Sequence, residues 1–221
     1  QLLLKSNSIY PYLPSTLMQL FDLTTKYENN PKEAEKYLTE ALKYNLHDTS
    51  ILARAIIYYE REGNLFLAGK YYHLYGVLKQ SKTAYQKALS SYLDAGYIRG
   101  AREIVPKLLK IPPDDPETLY VISNYYYKTN DYRKTLSYLT KAYSIGKTIS
   151  SKSELMFDIG YTLAKLYESL GNKELAVNIA KEIFVFAESR NESLIKLAKL
   201  YRSLDLKENL NIEWVSPLLN D

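Results

Sequence analysis

The chain has no cysteine, which removes disulfide bonds and thiolate chemistry from its repertoire. Histidine is scarce as well. There are two, His47 and His73, and neither stands at metal-ligand spacing from a second ligand type, so no metal site is expected. His47 sits beside Asp48, but no nucleophile pairs with them, and Asp48 serves better as a helix cap. Long hydrophobic runs are also missing: a membrane-spanning helix needs roughly 18 apolar residues, whereas clusters such as AIIYY at 55–59 are short, so no membrane insertion is expected. Nor is there a block of one charge. The 29 Lys and Arg stand against 25 Asp and Glu, a net +4 that reads as a mixed solvated surface, and no nucleic acid partner is expected. The chain opens on Gln1 rather than Met, as a processed or excised chain does; this leaves the compartment open, with the cytoplasm slightly favoured.

One fragment looks like the end of a phosphate-binding loop, Gly146-Lys147-Thr148 in SIGKTIS. Such a loop needs a glycine five residues before Gly146 and a preceding strand. Position 141 is Lys141, and the segment before it has helical spacing, so no nucleotide cofactor is expected. No set of residues supports an enzyme.

What the chain does have is repetition. A Tyr is followed four residues later by Gly and five after that by Ala at Tyr59, Gly63 and Ala68, at Tyr92, Gly96 and Ala101, and at Tyr167, Gly171 and Ala176. Tyr126, Asn130 and Thr135 follow with near substitutes, Thr25, Asn29 and Ala34 form a weaker first copy, and Tyr201, Asp205 and Leu210 a frayed last one. The punctuation falls at 29, 63, 96, 130, 171 and 205, at intervals of 34, 33, 34, 41 and 34. A period near 34 is the signature of stacked helix pairs.

Within the third copy, Tyr85, Ala88, Leu89 and Tyr92 form one stripe of a first helix, Gly96 ends it, and Ala101, Val105, Leu108 and Leu109 are assigned to the facing stripe of a second. Asp48, Ser81 and the Asp ahead of Pro116 are expected to cap the next helices. The seven extra residues in the 41-residue interval are about two helical turns and preserve the stripe; a longer first helix in the fifth repeat, starting near Ser153, is expected. Of the 23 tyrosines, ten, including Tyr59, Tyr72, Tyr92, Tyr126, Tyr132 and Tyr167, are assigned to packing positions, which leaves the other thirteen open to function.

The pattern resembles the tetratricopeptide repeat, whose first helix carries an aromatic, then Leu-Gly, then Tyr, and whose second carries Ala, an aromatic and a closing Pro. The best copy reads Tyr85, Ala88, Leu89, Tyr92, Gly96, Ala101, Val105 and Pro113, and the resemblance spans roughly 15–205. It departs from the family in lacking the opening Trp, in having the closing Pro only at Pro113, and in placing Asp22, Ile56 and Leu89 where a small residue is usual. The resemblance implies an all-α fold, a right-handed α-solenoid of about five antiparallel helix pairs. The repeats are placed at 15–48, 49–81, 82–115, 116–149 and 153–190 with a capping helix at 191–205, after an N-terminal segment 1–14 from a preceding repeat and before a tail at 206–221 whose Trp214 and Leu218 suit docking on the last repeat.

In such solenoids the first helices line a concave groove that binds partners. Residues one past the first and third stripe positions are expected to point into it: Gln86 and Ser90 in the third copy, and their equivalents Gln19 and Leu23, Ala53 and Ile57, Tyr120 and Asn124, Tyr161 and Lys165. The second half joins Tyr120, Tyr127 and Tyr161 to Asn124, Lys128 and Lys165, aromatic area combined with donors, as an extended peptide requires. The Lys-with-Asn pair that opens the carboxylate clamp of heat-shock-tail binders is absent from every repeat. The expected function is therefore a non-catalytic adaptor for a protein or peptide. Its rivals are a self-assembly module forming homo-oligomers, which concentration-dependent mass would reveal, and less favourably an RNA-binding repeat.

Overall fold

The computed structural model describes Lys5 and residues 13–28, 30–111, 115–149, 154–187 and 191–205. Expectations for the first dozen residues, for Asn29 and Pro113 and for the tail at 206–221 lie outside the described residues. Within them the regular structure is entirely helical. The helices are α1 (Pro14–Leu23), α2 (Pro31–Tyr44), α3 (Thr49–Arg61), α4 (Leu65–Lys79), α5 (Lys82–Asp94), α6 (Ile98–Lys110), α7 (Pro116–Lys128), α8 (Tyr132–Ile149), α9 (Glu154–Ser169), α10 (Lys173–Glu182), the short α11 (Phe184–Ala187) and α12 (Asn191–Ser203). A π-helical turn, Thr24–Glu28, follows α1.

The repeated Tyr-to-Gly spacing has a backbone cause. Gly63, Gly96 and Gly171 take φ of 70°, 71° and 77°, and Asn130 and Asp205 take 61° and 58°, all in the left-handed region that ends a helix. The residue after each of the first four donates its N–H back to the carbonyl of the repeat Tyr: Asn64 to Tyr59 and Asp131 to Tyr126 at 2.9 Å, Asn172 to Tyr167 at 2.9 Å, and Tyr97 to Tyr92 at 2.8 Å. The same residue then opens the next helix. Asn64 accepts from the Leu67 N–H at 3.1 Å, Asp131 from Lys134 at 3.1 Å and Asn172 from Leu175 at 3.3 Å.

Five residues past the punctuation, Ala34, Ala68, Ala101 and Ala176 are fully buried, as is Thr135, whose hydroxyl donates to the Asp131 carbonyl at 2.9 Å. These small side chains let paired helices approach closely enough for their aromatics to meet. Tyr59 of α3 stacks on Tyr71 of α4 at 5.6 Å, and at the same register Tyr126 of α7 stacks on Tyr138 of α8 at 5.4 Å. The expected caps form: Asp48 accepts from Ser50 and Ile51, Ser81 from Ala84 and Asp115 from Thr118.

Packing groups the helices into two compact units, 1–111 and 112–221. In the first, α1 packs on α2, α3 on α4, α4 on α5 and α5 on α6. Its core includes Leu17, Leu38, Leu52, Tyr59 and Tyr71. In the second, α7 packs on α8 and α9 on both α8 and α10, around Leu119, Leu139, Phe157, Leu163 and Ile183.

Three expectations need correction. Leu109 is an exposed hydrophobic, and Ile104 takes its place in the buried stripe of α6 with Ala101, Val105 and Leu108. Tyr132 is 44% exposed, its ring edge-on to Tyr127 at 5.9 Å rather than in the core. The seven extra residues lengthen α8 as well as the fifth repeat's first helix: α8 has 18 residues against 14, 15 and 13 for the second helices α2, α4 and α6, and α9 has 16 against 13 for the first helices α3, α5 and α7. The lengthened α8 is tied to α10 by Glu182, which accepts from Tyr143 Oη at 2.9 Å and Lys147 Nζ at 2.8 Å.

Two glycines of the third repeat have different roles. A Cβ on Gly96 meets nothing within 4 Å, so only its φ of +71° demands glycine, whereas a Cβ on Gly100 falls 2.8 Å from the Tyr92 ring. Gly96→Ala should cost about 1–2 kcal/mol from backbone strain alone, and Gly96→Asn distinctly less, as read from urea unfolding midpoints; equal costs would show that the left-handed turn is not the constraint.

His73 lies half-buried on α4, its ring edge-on to Tyr85 and Tyr92. Burial depresses its pKa, Lys107 adds to this and Glu103 opposes it. A depressed histidine stabilises the fold fully above its ordinary value of 6.5 and progressively less as pH falls below it. The loss of stability between about pH 7.5 and about pH 5 should therefore be smaller in His73→Phe than in the parent chain. Parallel losses in denaturant titrations would exclude this.

Candidate functional site

The groove residues expected from the sequence divide between the two units. In the first unit, Gln86 is buried, at 4% exposure, which corrects its assignment to an open wall, and Ser90 is half-buried. The remaining six lie on α7 and α9 of the second unit. Tyr127 is 51% exposed, Lys128 and Lys165 are exposed, and Tyr120, Asn124 and Tyr161 are half-buried.

The half-buried pair of tyrosines shows why the register just past the stripe is less open than expected. Tyr120 Oη reaches from α7 to Thr162 Oγ1 on α9 at 3.4 Å. Because the Thr162 hydroxyl already donates to the Asp158 carbonyl at 2.7 Å, Tyr120 is the donor of that contact. Tyr161 lays its ring parallel to Phe157, 5.8 Å between centroids. Both spend part of their surface on the wall itself. Asn124 and Lys128 make no hydrogen bond or ion pair with another described residue.

Tyr127 and Lys165 come together in a cavity of about 250 Å³ walled by Thr135 and Leu139 of α8 and by Thr162, Leu166, Glu168 and Ser169 of α9. Lys165 Nζ sits 2.6 Å from Glu168 Oε2. Burial pushes the Glu168 carboxyl up, but Lys165 and Ser203 outweigh it and hold it below its ordinary value. The cavity thus offers an aromatic wall, hydroxyls and an ion pair: contacts for a side chain together with partners for backbone groups.

The same register makes a cavity in the first unit. Arg54, Ile57, Tyr58 and Arg61 of α3 stand nine, six, five and two residues before Gly63, just as Thr162, Lys165, Leu166 and Ser169 stand before Gly171. With Phe21, Asp22 and Thr25 they enclose about 220 Å³. Arg54 pairs with Asp22 at 3.4 Å, and Arg61 lies over the Tyr58 ring at 5.8 Å. Thr162, Glu168, Ser169, Arg54 and Arg61 were not expected from the sequence; for all but Glu168 the available signal was a fixed distance from the punctuation. Among the described residues no cluster of His, Cys, Asp or Glu is placed to hold a metal ion, and no helix is long and apolar enough to cross a membrane.

No family model matches the chain, and no curated protein matches it either. Solved structures do. A tetratricopeptide repeat protein from Parabacteroides merdae superposes with a TM-score of 0.59 at 16% identity, covering 99% of this chain and 88% of that one. MamA from Desulfovibrio magneticus gives 0.59 at 14% identity over 80% of this chain and 97% of that one. PilW, a type IV pilus biogenesis factor, gives 0.55 at 12% identity over 86% of each. The chain therefore has the all-α helical-repeat fold of tetratricopeptide-repeat proteins, in a divergent sequence.

Separating binding from stability on this wall requires variants that leave the fold intact. Asn124→Ala and Lys165→Ala should each change stability by less than about 1 kcal/mol, since the Lys165 ion pair is exposed and Asn124 is unpaired. Tyr161→Ala should cost about 1–3 kcal/mol through its stacking on Phe157. Thermal and urea melts distinguish these, and a large loss for Lys165→Ala would mean that the pair is structural.

Proposed function

We propose that the chain is a non-catalytic scaffold that binds a protein or peptide segment on the wall formed by α7 and α9. The observation that carries this reading is the convergence of Tyr127 and Lys165 on one cavity of about 250 Å³, beside Asn124 and Lys128, which have no described partner. Tyrosine supplies large contact area at low entropic cost, and unpaired amide and ammonium groups supply the donors a peptide's carbonyls need. The recurrence of a cavity at the same register in the first unit supports it: the same positions of a first helix leave room for a side chain in both units. The fold shared with repeat proteins of solved structure points the same way, because the architecture supplies surface rather than a reaction centre.

A displayed random-peptide library panned against the intact chain tests this reading. Selected peptides should bind the parent at least about tenfold tighter than an Asn124→Ala, Tyr127→Ala, Lys165→Ala variant of unchanged circular dichroism. Peptides that bind both alike would move the site off this wall, and a mass that grows with concentration without any peptide binding would favour self-assembly instead.

A further inference from the structure

The near-neutral charge balance of the chain hides a concentration. Residues 65–110 carry eight Lys and Arg against two Asp and Glu, a balance of +6, and since the whole chain is +4 the remainder is net −2. The excess is sharpest on α6, a strongly two-faced helix. Gly100, Ala101, Ile104, Val105 and Leu108 are buried, and the opposite face presents Arg99, Arg102 and Lys110 exposed, Lys107 half-buried, and a single acid, Glu103.

Several cations on other helices have a carboxylate partner. Lys36 pairs with Glu33 on α2, Arg54 of α3 with Asp22, Lys134 at the start of α8 with Asp131, Lys165 with Glu168 on α9, Lys173 of α10 with Asp205, and Lys196 with Glu192 on α12. None of the four cations of α6 has an ion pair with a described residue. Mixed among them are exposed apolar groups, Leu109 and Pro106. Pro106 also lacks the N–H that would satisfy the Arg102 carbonyl, which leaves that acceptor short of its usual partner on the turn.

We infer that the outer face of α6 is a docking surface for an acidic segment of another protein. Four cations without a carboxylate partner, of which Lys107 also lies over the Tyr85 ring at 5.9 Å, select an anionic partner and speed its encounter. The chemistry between them decides which kind. Glu103 and the Arg102 carbonyl are acceptors set among the cations. A sugar-phosphate backbone would meet Glu103 with its own negative charge, whereas a polypeptide brings carboxylates for the cations and N–H donors for the acceptors. Leu109 and Pro106 then meet apolar side chains interspersed with those carboxylates. None of its residues belongs to the α7–α9 wall.

The experiment uses the intact chain and a fluorescein-labelled peptide alternating Glu with Leu and Ala, with fluorescence anisotropy as the readout. The parent should bind it with an affinity that weakens as salt rises. An Arg99→Glu, Arg102→Glu, Lys107→Glu, Lys110→Glu variant, shown to be folded by circular dichroism, should lose at least about tenfold. The milder Arg102→Ala, Lys110→Ala variant guards against a folding artefact and should lose affinity in the same direction. The Asn124→Ala, Tyr127→Ala, Lys165→Ala variant should bind this peptide as the parent does, which separates failure here from failure of the groove reading. Undiminished binding by the reversed-charge variant would overturn the inference. Binding of a single-stranded oligonucleotide or of phosphatidylserine vesicles in preference to the peptide would overturn it equally, by making the face a general polyanion or membrane surface.

Discussion

The structure depends on one backbone event, the closure of four first helices, α3, α5, α7 and α9, onto the carbonyl of the repeat tyrosine. A left-handed residue turns the chain, and the residue after it returns an N–H to the carbonyl five positions earlier. At Asn64, Asp131 and Asn172 that residue's side chain immediately caps the second helix. Reversal of direction and initiation of the next helix are therefore coupled in a single position, and the relative placement of paired helices leaves little to side-chain packing. Packing has to accommodate what the turn imposes. The fully buried alanine five residues on marks the point of close approach, and the stacked tyrosine pairs farther along fill the space that opens beyond it.

This coupling explains why so much of the fold was legible in the sequence. The left-handed conformation favours Gly, Asn or Asp, although Gln80 also adopts it at the end of α4, and the cap favours short polar residues at the next position in three of four copies, so a geometric constraint leaves a compositional trace at fixed spacing. The third copy has Tyr97 as the successor, with no side-chain cap, and compensates by packing that ring against Phe66 and Tyr92. Where two solutions satisfy the same constraint, the trace fails. Two extra turns preserve a helical stripe whichever helix receives them, so the lengthening of both α8 and α9 had no signature in the periodicity; what accompanies it is the long-range tie from Glu182 to Tyr143 and Lys147, and hydrogen bonds between distant residues leave no period.

The candidate site was legible in part, for a related reason. Helical spacing tells which way a residue leaves its own helix. It does not tell how near the next repeat's first helix lies. Tyr120 reaching Thr162, Tyr161 lying on Phe157 and Gln86 being buried are consequences of that second distance. Cavities form in both units where neighbouring first helices leave room, and Arg54 and Thr162, each one residue past an expected groove position, Ala53 and Tyr161, line them.

Charge was misjudged by a different route. Searching for contiguous runs is suited to extended tails, whereas a helix distributes a cationic face over every third or fourth residue, so Arg99, Arg102, Lys107 and Lys110 never form a run while occupying one side of α6. First helices and second helices answer to different demands here. A first helix is pressed between neighbours, and its free positions are confined to small cavities that suit single side chains. A second helix such as α6 gives up one whole face to its partner and keeps the other whole. The cavities therefore lie on first helices, and the cationic face lies on a second helix.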